Sequence, residues 1–236
     1  MLKKILVTGG DGRFAQELKK IKSRYNFIFR SKKQLNILST KSIKKNFQRF
    51  KPHTILHLAG LSRPMNIHDK KINSSIDLNI IGTANIVKLC KEKKIKIIFF
   101  STSYVYPGSK GNYKEKDPLL PWNNYGWSKL GAESSVHMYK NSLIIRACMT
   151  EKPFTHKFAF KNVKSNFIFH DEFAKIFIRL LPFKGIINIG GKSQTIYKFA
   201  KKFNSNVKGR KSKGELPFKM DMNLKKLNKI LKNENN

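Results

Sequence analysis

The chain has 236 residues and 40% hydrophobic content, enough to bury a core of one or two domains. Its two cysteines, Cys90 and Cys148, stand far apart without metal-type spacing; this excludes a disulfide framework and fits small apolar core residues in a reducing compartment. The net charge of +35 comes mostly from lysine spread along the chain; we read it as compositional bias that also helps capture anionic ligands, and expect no specific nucleic-acid partner from it.

Near the start only Ile5-Leu6-Val7 is apolar before a Thr-Gly-Gly turn, too short for a signal peptide or a membrane span. A cytoplasmic protein without membrane association is expected. Residues 3–7 read as a first strand, followed by a turn and a helix to about residue 21. Strands are expected at 26–29, 54–58, 96–100 and 143–145, with a helix at 41–50. A long helix is expected over 72–91, with Ile76, Ile80, Thr83, Ala84, Val87 and Cys90 along its buried face. Residues 106–122 are rich in Gly and Pro and read as loop, ahead of a helix that carries Tyr125 and Lys129. Beyond Arg146 the periodicity weakens. Asp171 is a candidate N-cap for a helix to residue 181, residues 185–189 a strand returning to the main sheet, 195–203 a helix, 204–214 a loop and 223–231 a terminal helix. Strand and helix alternate throughout, which predicts an α/β protein with a Rossmann-type doubly wound parallel sheet.

Two motifs carry chemistry. Gly10-Asp11-Gly12-Arg13-Phe14-Ala15 follows a strand and opens a helix, the setting in which such a turn holds a dinucleotide. Glycine permits the tight turn and lets the backbone approach phosphate oxygens, and the helix start offers free N–H groups. The cofactor set at this turn is Gly9, Gly10, Gly12, Arg13 and Phe14. The second strand ends Phe29-Arg30-Ser31-Lys32-Lys33, with no acid for a ribose 2′-hydroxyl; Arg30 and Ser31, with Arg13, suit a 2′-phosphate, so NADP is preferred to NAD. Tyr125 and Lys129 lie four apart on one helix face, where an ammonium lowers a phenol's pKa and readies it for proton exchange. A bound redox cofactor beside such a tyrosine reads as a carbonyl reductase. His57 reads as a satisfied core or cofactor-edge histidine, and no metal set is visible. Trp122 and Trp127 are candidates for the pocket wall or the core, and Phe154, Phe158 and Phe160 for a small second core.

These blocks resemble the extended short-chain dehydrogenases/reductases, most closely the branch of dTDP-4-dehydrorhamnose reductase and GDP-fucose synthase. Ser101-Thr102-Ser103-Tyr104-Val105-Tyr106-Pro107-Gly108 is similar to the family's active-site strand end, and Tyr125-Gly126-Trp127-Ser128-Lys129 to its catalytic helix. Residues 29–37 are similar to the NADP-binding stretch; His57-Leu58-Ala59-Gly60 and Leu78-Asn79-Ile80-Ile81-Gly82-Thr83 match two further blocks. The resemblance implies that Thr102 bonds the substrate carbonyl, with Ser103 in reserve, that Tyr125 is the acid/base, and that Lys129 also holds the nicotinamide ribose. It implies that Asn36 and Ile37 line the adenine, that Leu58, Ala59 and Gly60 run along the cofactor, and that Asn79 has a structural role. Residues 1–150 would then be the NADP-binding domain and 151–236 a small, shortened substrate-binding portion.

The departures narrow the chemistry. Ser103-Tyr104 replaces the acidic pair of the sugar dehydratases, and Tyr104 stands where the fucose synthases carry an epimerising cysteine. The expected activity is reduction of a keto group on a nucleotide sugar. The alternatives are an epimerase on the same fold and a non-catalytic NADP-binding regulatory protein. A homodimer through the helices around Asn79 and Tyr125 is possible by analogy with relatives.

Overall fold

The computed structural model describes residues 2–232. Through Ala147 the chain runs β1 (Lys4–Thr8), α1 (Arg13–Lys19), β2 (Asn26–Arg30), α2 (Thr40–Phe50), β3 (Thr54–His57), α3 (Ile67–Lys70), α4 (Ile72–Ser75), α5 (Gly82–Glu92), β4 (Lys96–Thr102), α6 (Asn124–His137) and β5 (Ser142–Ala147). Shorter elements follow. They are β6 (Met149–Thr150), β7 (Phe158–Phe160), β8 (Lys164–Ser165), β9 (Ile168–Phe169), α7 (His170–Leu180), β10 (Gly185–Ile189), β11 (Gln194–Thr195), α8 (Ile196–Lys201), β12 (Lys208–Arg210) and α9 (Lys225–Lys232).

Six strands pair in parallel in the order β10-β5-β4-β3-β1-β2. After β1 the chain builds outward to β2, then crosses to the other side of β1 to lay down β3. The crevice beyond the C-terminal ends of β1 and β3 is therefore the switch point where such sheets bind ligands. Alternation sets the two layers. Ile5, Val7, Ile98 and Phe100 point to one face, against Phe14 of α1 and Phe173 and Phe177 of α7. Leu6, Ile97 and Phe99 point to the other, against Ile43, Phe47, Ile86 and Val136 of α2, α5 and α6. Burial on both faces is why these strands read as continuous apolar runs, and each buried large side chain contributes about 1.5–3 kcal/mol.

Four expectations change. The helix expected over 72–91 is broken into α4, a π-helical stretch Ile76–Ile81, and α5. Ile76 is 41% exposed, and Ser75 and Asn79 are buried in its stead, because Asn79 is drawn inward by hydrogen bonds to the chain after β3. Asp171 lies inside the first turn of α7; the cap is Phe169, whose N–H donates to Glu172 Oε2 at 3.3 Å. The stretch 204–214 is not all loop, since β12 pairs with β7 and Val207 anchors it in a small third core with Phe154, Phe169 and Phe199. Phe154 is buried in that core, as a core reading requires, while Phe158 is half exposed.

Candidate active site

The glycine turn sits at the switch crevice and is tightly built. Gly9 has φ +67°, and a Cβ there would lie 2.7 Å from the Ala59 nitrogen; on Gly10 it would lie 2.8 Å from the Arg30 nitrogen. Larger residues would push the turn away from β2 and the chain after β3. The Gly10 N–H donates to the Arg30 carbonyl at 2.8 Å, and the Gly12 N–H to the Gly9 carbonyl at 2.9 Å. Ala59 N–H donates to Thr8 Oγ1 at 3.2 Å, so Leu58, Ala59 and Gly60 run alongside the turn. The Phe14 ring points away into the core, 4.8 Å from Phe100, which leaves only its backbone facing the crevice.

At the end of β2, Arg30 stacks on Phe50 with its guanidinium 5.0 Å from the ring centre, and its Nε is buried without a hydrogen-bond partner. It borders a cavity of about 450 Å³ that is also lined by Lys33, Lys41, Lys45, Asn46 and Arg49. Ser31 opens a turn in which its Oγ accepts from Gln34 N–H at 3.3 Å. Asn36 is used locally, its Oδ1 accepting from Leu38 N–H at 3.0 Å, and Ile37 is buried against Gly82. Arg13 does not join this corner: its guanidinium turns to Glu151, 2.8 Å away.

The candidate reactive group is assembled from β4 and α6. Asn123 caps α6 by accepting from Gly126 N–H at 2.8 Å. A Cβ on Gly126 would stand 2.5 Å from the Tyr104 carbonyl, so glycine lets the helix approach the end of β4. This brings the Thr102 side chain beside the Tyr125 phenol. Burial raises the Tyr125 phenol above its ordinary value, opposed by the neighbouring Thr102 side chain and by the positive charge of Arg63. Lys129 is 8% exposed, with Nζ 4.2 Å from the centre of the Phe99 ring. Burial pushes its ammonium down to about 7, against the pull of Glu133. The expected lowering of the phenol by Lys129 is thus absent: desolvation governs both groups.

Several neighbours complete the site, and of these His68 carries no signal in the sequence. His68 packs against the Tyr125 ring, tilted at 51° with ring centres 5.0 Å apart, and shares a 2.7 Å hydrogen bond with Ser75. Tyr104 lies edge-on to Tyr125 and 5.0 Å from Trp122, so Trp122 joins the site wall, whereas Trp127 is half exposed. Asn79 pins the chain after β3 to α6: Oδ1 accepts from Leu61 N–H at 2.7 Å, and Nδ2 donates to the Leu61 carbonyl and to Ser128 Oγ. Beneath Lys129, Glu133 pairs with Arg146 in full burial and accepts from Ser101 Oγ at 2.6 Å. His57 is a satisfied core residue, held by Thr8 and Thr83 and pushed down to about 3 by burial. Among the described residues no cluster could hold a metal ion, and no helix is long and apolar enough to cross a membrane.

Comparisons with known proteins agree with this fold. The solved dTDP-4-dehydrorhamnose reductase of Bacillus anthracis in complex with NADP superposes with a TM-score of 0.86 at 20% identity, covering 97% of this chain and 92% of that one. The UDP-glucose 4-epimerase of Thermus thermophilus in complex with NAD gives 0.75 at 15% identity, covering 98% and 93%. Among curated proteins, methionine adenosyltransferase 2 subunit beta of Xenopus laevis is 33% identical over 102 residues, 43% of this chain and 30% of that protein. The spore coat polysaccharide biosynthesis protein SpsK of Bacillus subtilis is 32% identical over 148 residues, 61% of this chain and 52% of that protein. The matches thus span about a third to a half of those relatives. A family model described as RmlD substrate binding domain matches residues 3–152, the stretch that contains the glycine turn, Thr102, Tyr125 and Lys129. On that match, and with the sheet order and crevice its members' fold requires, the chain belongs to the RmlD family of extended short-chain dehydrogenase/reductase-like proteins.

Proposed function

We propose that this protein is an oxidoreductase that uses NADPH to reduce a keto group on a nucleotide-activated sugar. The observation that carries the reading is the Thr102–Tyr125 hydroxyl pair one helical turn from Lys129, at the crevice of the glycine turn. The residues fit a dinucleotide: Gly9, Gly10 and Gly12 form a cradle that a Cβ would fill, and the basic corner around Arg30 would suit a 2′-phosphate. NADP is preferred to NAD because β2 ends in Arg30 and Ser31 rather than in an acid.

The chain's own residues then take the following roles. Gly9, Gly10, Gly12 and the backbone at Arg13 and Phe14 lie along the cofactor diphosphate, Arg30 and Ser31 hold the 2′-phosphate, Asn36 and Ile37 border the adenine, and Leu58, Ala59 and Gly60 flank the dinucleotide. The cofactor when bound supplies hydride to the carbonyl carbon. Thr102 donates to the carbonyl oxygen and orients it. Tyr125, kept protonated by burial, delivers a proton to the same oxygen as charge develops there, a role worth about 10²–10⁴ in rate. Lys129 binds the ribose, and its ammonium stabilises the phenolate that the proton transfer leaves until solvent reprotonates it. Residues 1–150 hold the cofactor and 151–236 shape the substrate side, with β10 completing the main sheet. Exposed Ile76, Ile81 and Trp127 on the paired helices favour a homodimer, and the reading includes a cytoplasmic location.

One observation favours a second reading. The likeness to proteins named as β subunits of methionine adenosyltransferase supports a regulatory subunit that holds NADP without turnover. The test is a fluorescence titration with NADPH and NADH, followed by nucleotide 4-keto-sugars. Oxidation of bound NADPH on adding a keto-sugar, lost in Tyr125→Phe while NADPH affinity stays within about twofold, is the expected result. Turnover that survives Tyr125→Phe refutes the mechanism, and binding without turnover across the panel favours the regulatory reading.

A further inference from the structure

Three charged side chains from three separate segments converge on the crevice. Arg13 begins α1 behind the glycine turn, Arg63 lies in the chain after β3, and Glu151 follows β6. Nη1 of Arg13 and Nη1 of Arg63 each stand 2.8 Å from one oxygen, Glu151 Oε1. Two guanidiniums sharing one carboxylate leave an excess positive charge and several N–H donors without an anion of their own. The three side chains are 52%, 38% and 34% exposed, so an incoming ligand can reach them.

The position of the cluster says what that ligand is. Arg13 adjoins Gly12, at one end of the crevice. Arg63, whose guanidinium meets the same Glu151 oxygen, also acts through its charge on Tyr104 and Tyr125, so the cluster lies between the glycine turn and the tyrosines. His170, opening α7, is pushed down by burial and also senses the charges of Glu151, Arg13, Arg63 and Glu17. A dinucleotide with its 2′-phosphate at Arg30 and its reactive ring at Tyr125 must carry its diphosphate across this line.

We infer that Arg13 and Arg63 are a diphosphate-binding pair and that Glu151 is their resident counter-ion, displaced when the phosphates arrive. The inference rests on the dinucleotide reading above. A carboxylate offers one charge to two forks, whereas a diphosphate offers two charges and enough oxygens for a bidentate contact with each. Glu151 therefore competes with the ligand and sets its affinity, a role that Arg13 at the 2′-phosphate corner would not give it. The same chemistry is presented by the diphosphate of the cofactor and by that of a nucleotide sugar.

Calorimetric titration with NADPH and with dTDP, at one ionic strength, tests the inference and separates the two sources. Glu151→Gln is expected to tighten binding of at least one probe by roughly threefold to tenfold, and Arg63→Ala to weaken it by roughly tenfold. In Arg13→Ala/Arg63→Ala the gain from Glu151→Gln disappears. Tightening confined to NADPH assigns the pair to the cofactor, and tightening confined to dTDP assigns it to the substrate. Wild-type or weaker affinity of folded Glu151→Gln for both probes overturns the inference while the dinucleotide reading stands. Absence of binding to either probe by the wild type overturns both. Should Glu151→Gln fail to fold, Arg63→Ala decides: unchanged affinity for both probes refutes the pair.

Discussion

Lys129→Met separates what the lysine costs the fold from what it does for the site. The wild-type ammonium is buried under α6 with Nζ 4.2 Å from the Phe99 ring centre, and burial pushes it from 10.5 to about 7. The folded-state value lies below the unfolded one, so between about pH 7 and 10.5 the unfolded chain binds the extra proton and stability rises with pH. Below that window the cost reaches about 5 kcal/mol, at roughly 1.4 kcal/mol for each tenfold change in proton affinity. The cation over the Phe99 ring offsets about 1–2 kcal/mol of this. Methionine keeps the length of the stem and removes the charge. Lys129→Met is therefore expected to be more stable than wild type by about 3 kcal/mol at pH 6, with the gap nearly closed at pH 10. Urea unfolding at pH 6, 8 and 10, with unchanged slopes, measures this. Equal stability at pH 6, or a gap that does not move with pH, refutes the reasoning. The gain would come at the expense of the site, as for other residues kept for function against stability.

Two further outcomes follow from the geometry. Arg30→Ala should weaken NADPH binding by roughly tenfold to a hundredfold while leaving NADH nearly unchanged, since only NADPH carries a 2′-phosphate for a charge-assisted contact; equal losses for the two cofactors in parallel titrations would remove the argument. Glu133→Ala leaves Arg146 buried and unpaired, which should cost about 3–5 kcal/mol and lower the thermal midpoint by roughly 6–20 °C. A loss below about 1 kcal/mol by circular dichroism melting would mean that the pair is not shielded as described.

Local rules made much of this protein legible. Short apolar runs such as Ile97 to Phe100 announce strands buried on two faces, and the glycine turn announces where the first strand hands over to a helix. Gly9 and Gly10 are required by contacts of their own backbone with Ala59 and Arg30, so a motif in the sequence stands for a close approach in space. Tyr125 and Lys129 were legible for a similar reason, because a spacing of four on a helix is a distance. The broken helix at Ile76–Ile81 was not: its inward residue is polar, and periodicity of apolar residues pointed to Ile76.

By itself the sequence determined the α/β class, the glycine turn and the residues that pair within one element, since each is written in a local pattern of a few positions. Tertiary structure alone decided the rest. Arg63 and Glu151 stand 88 positions apart, and His68 reaches Tyr125 only once the chain after β3 has folded over α6. The direction of the proton equilibria also belongs there. Spacing says that an ammonium is near a phenol, but how far each is removed from water depends on every layer packed around them, and here burial pushes Lys129 down and holds Tyr125 up.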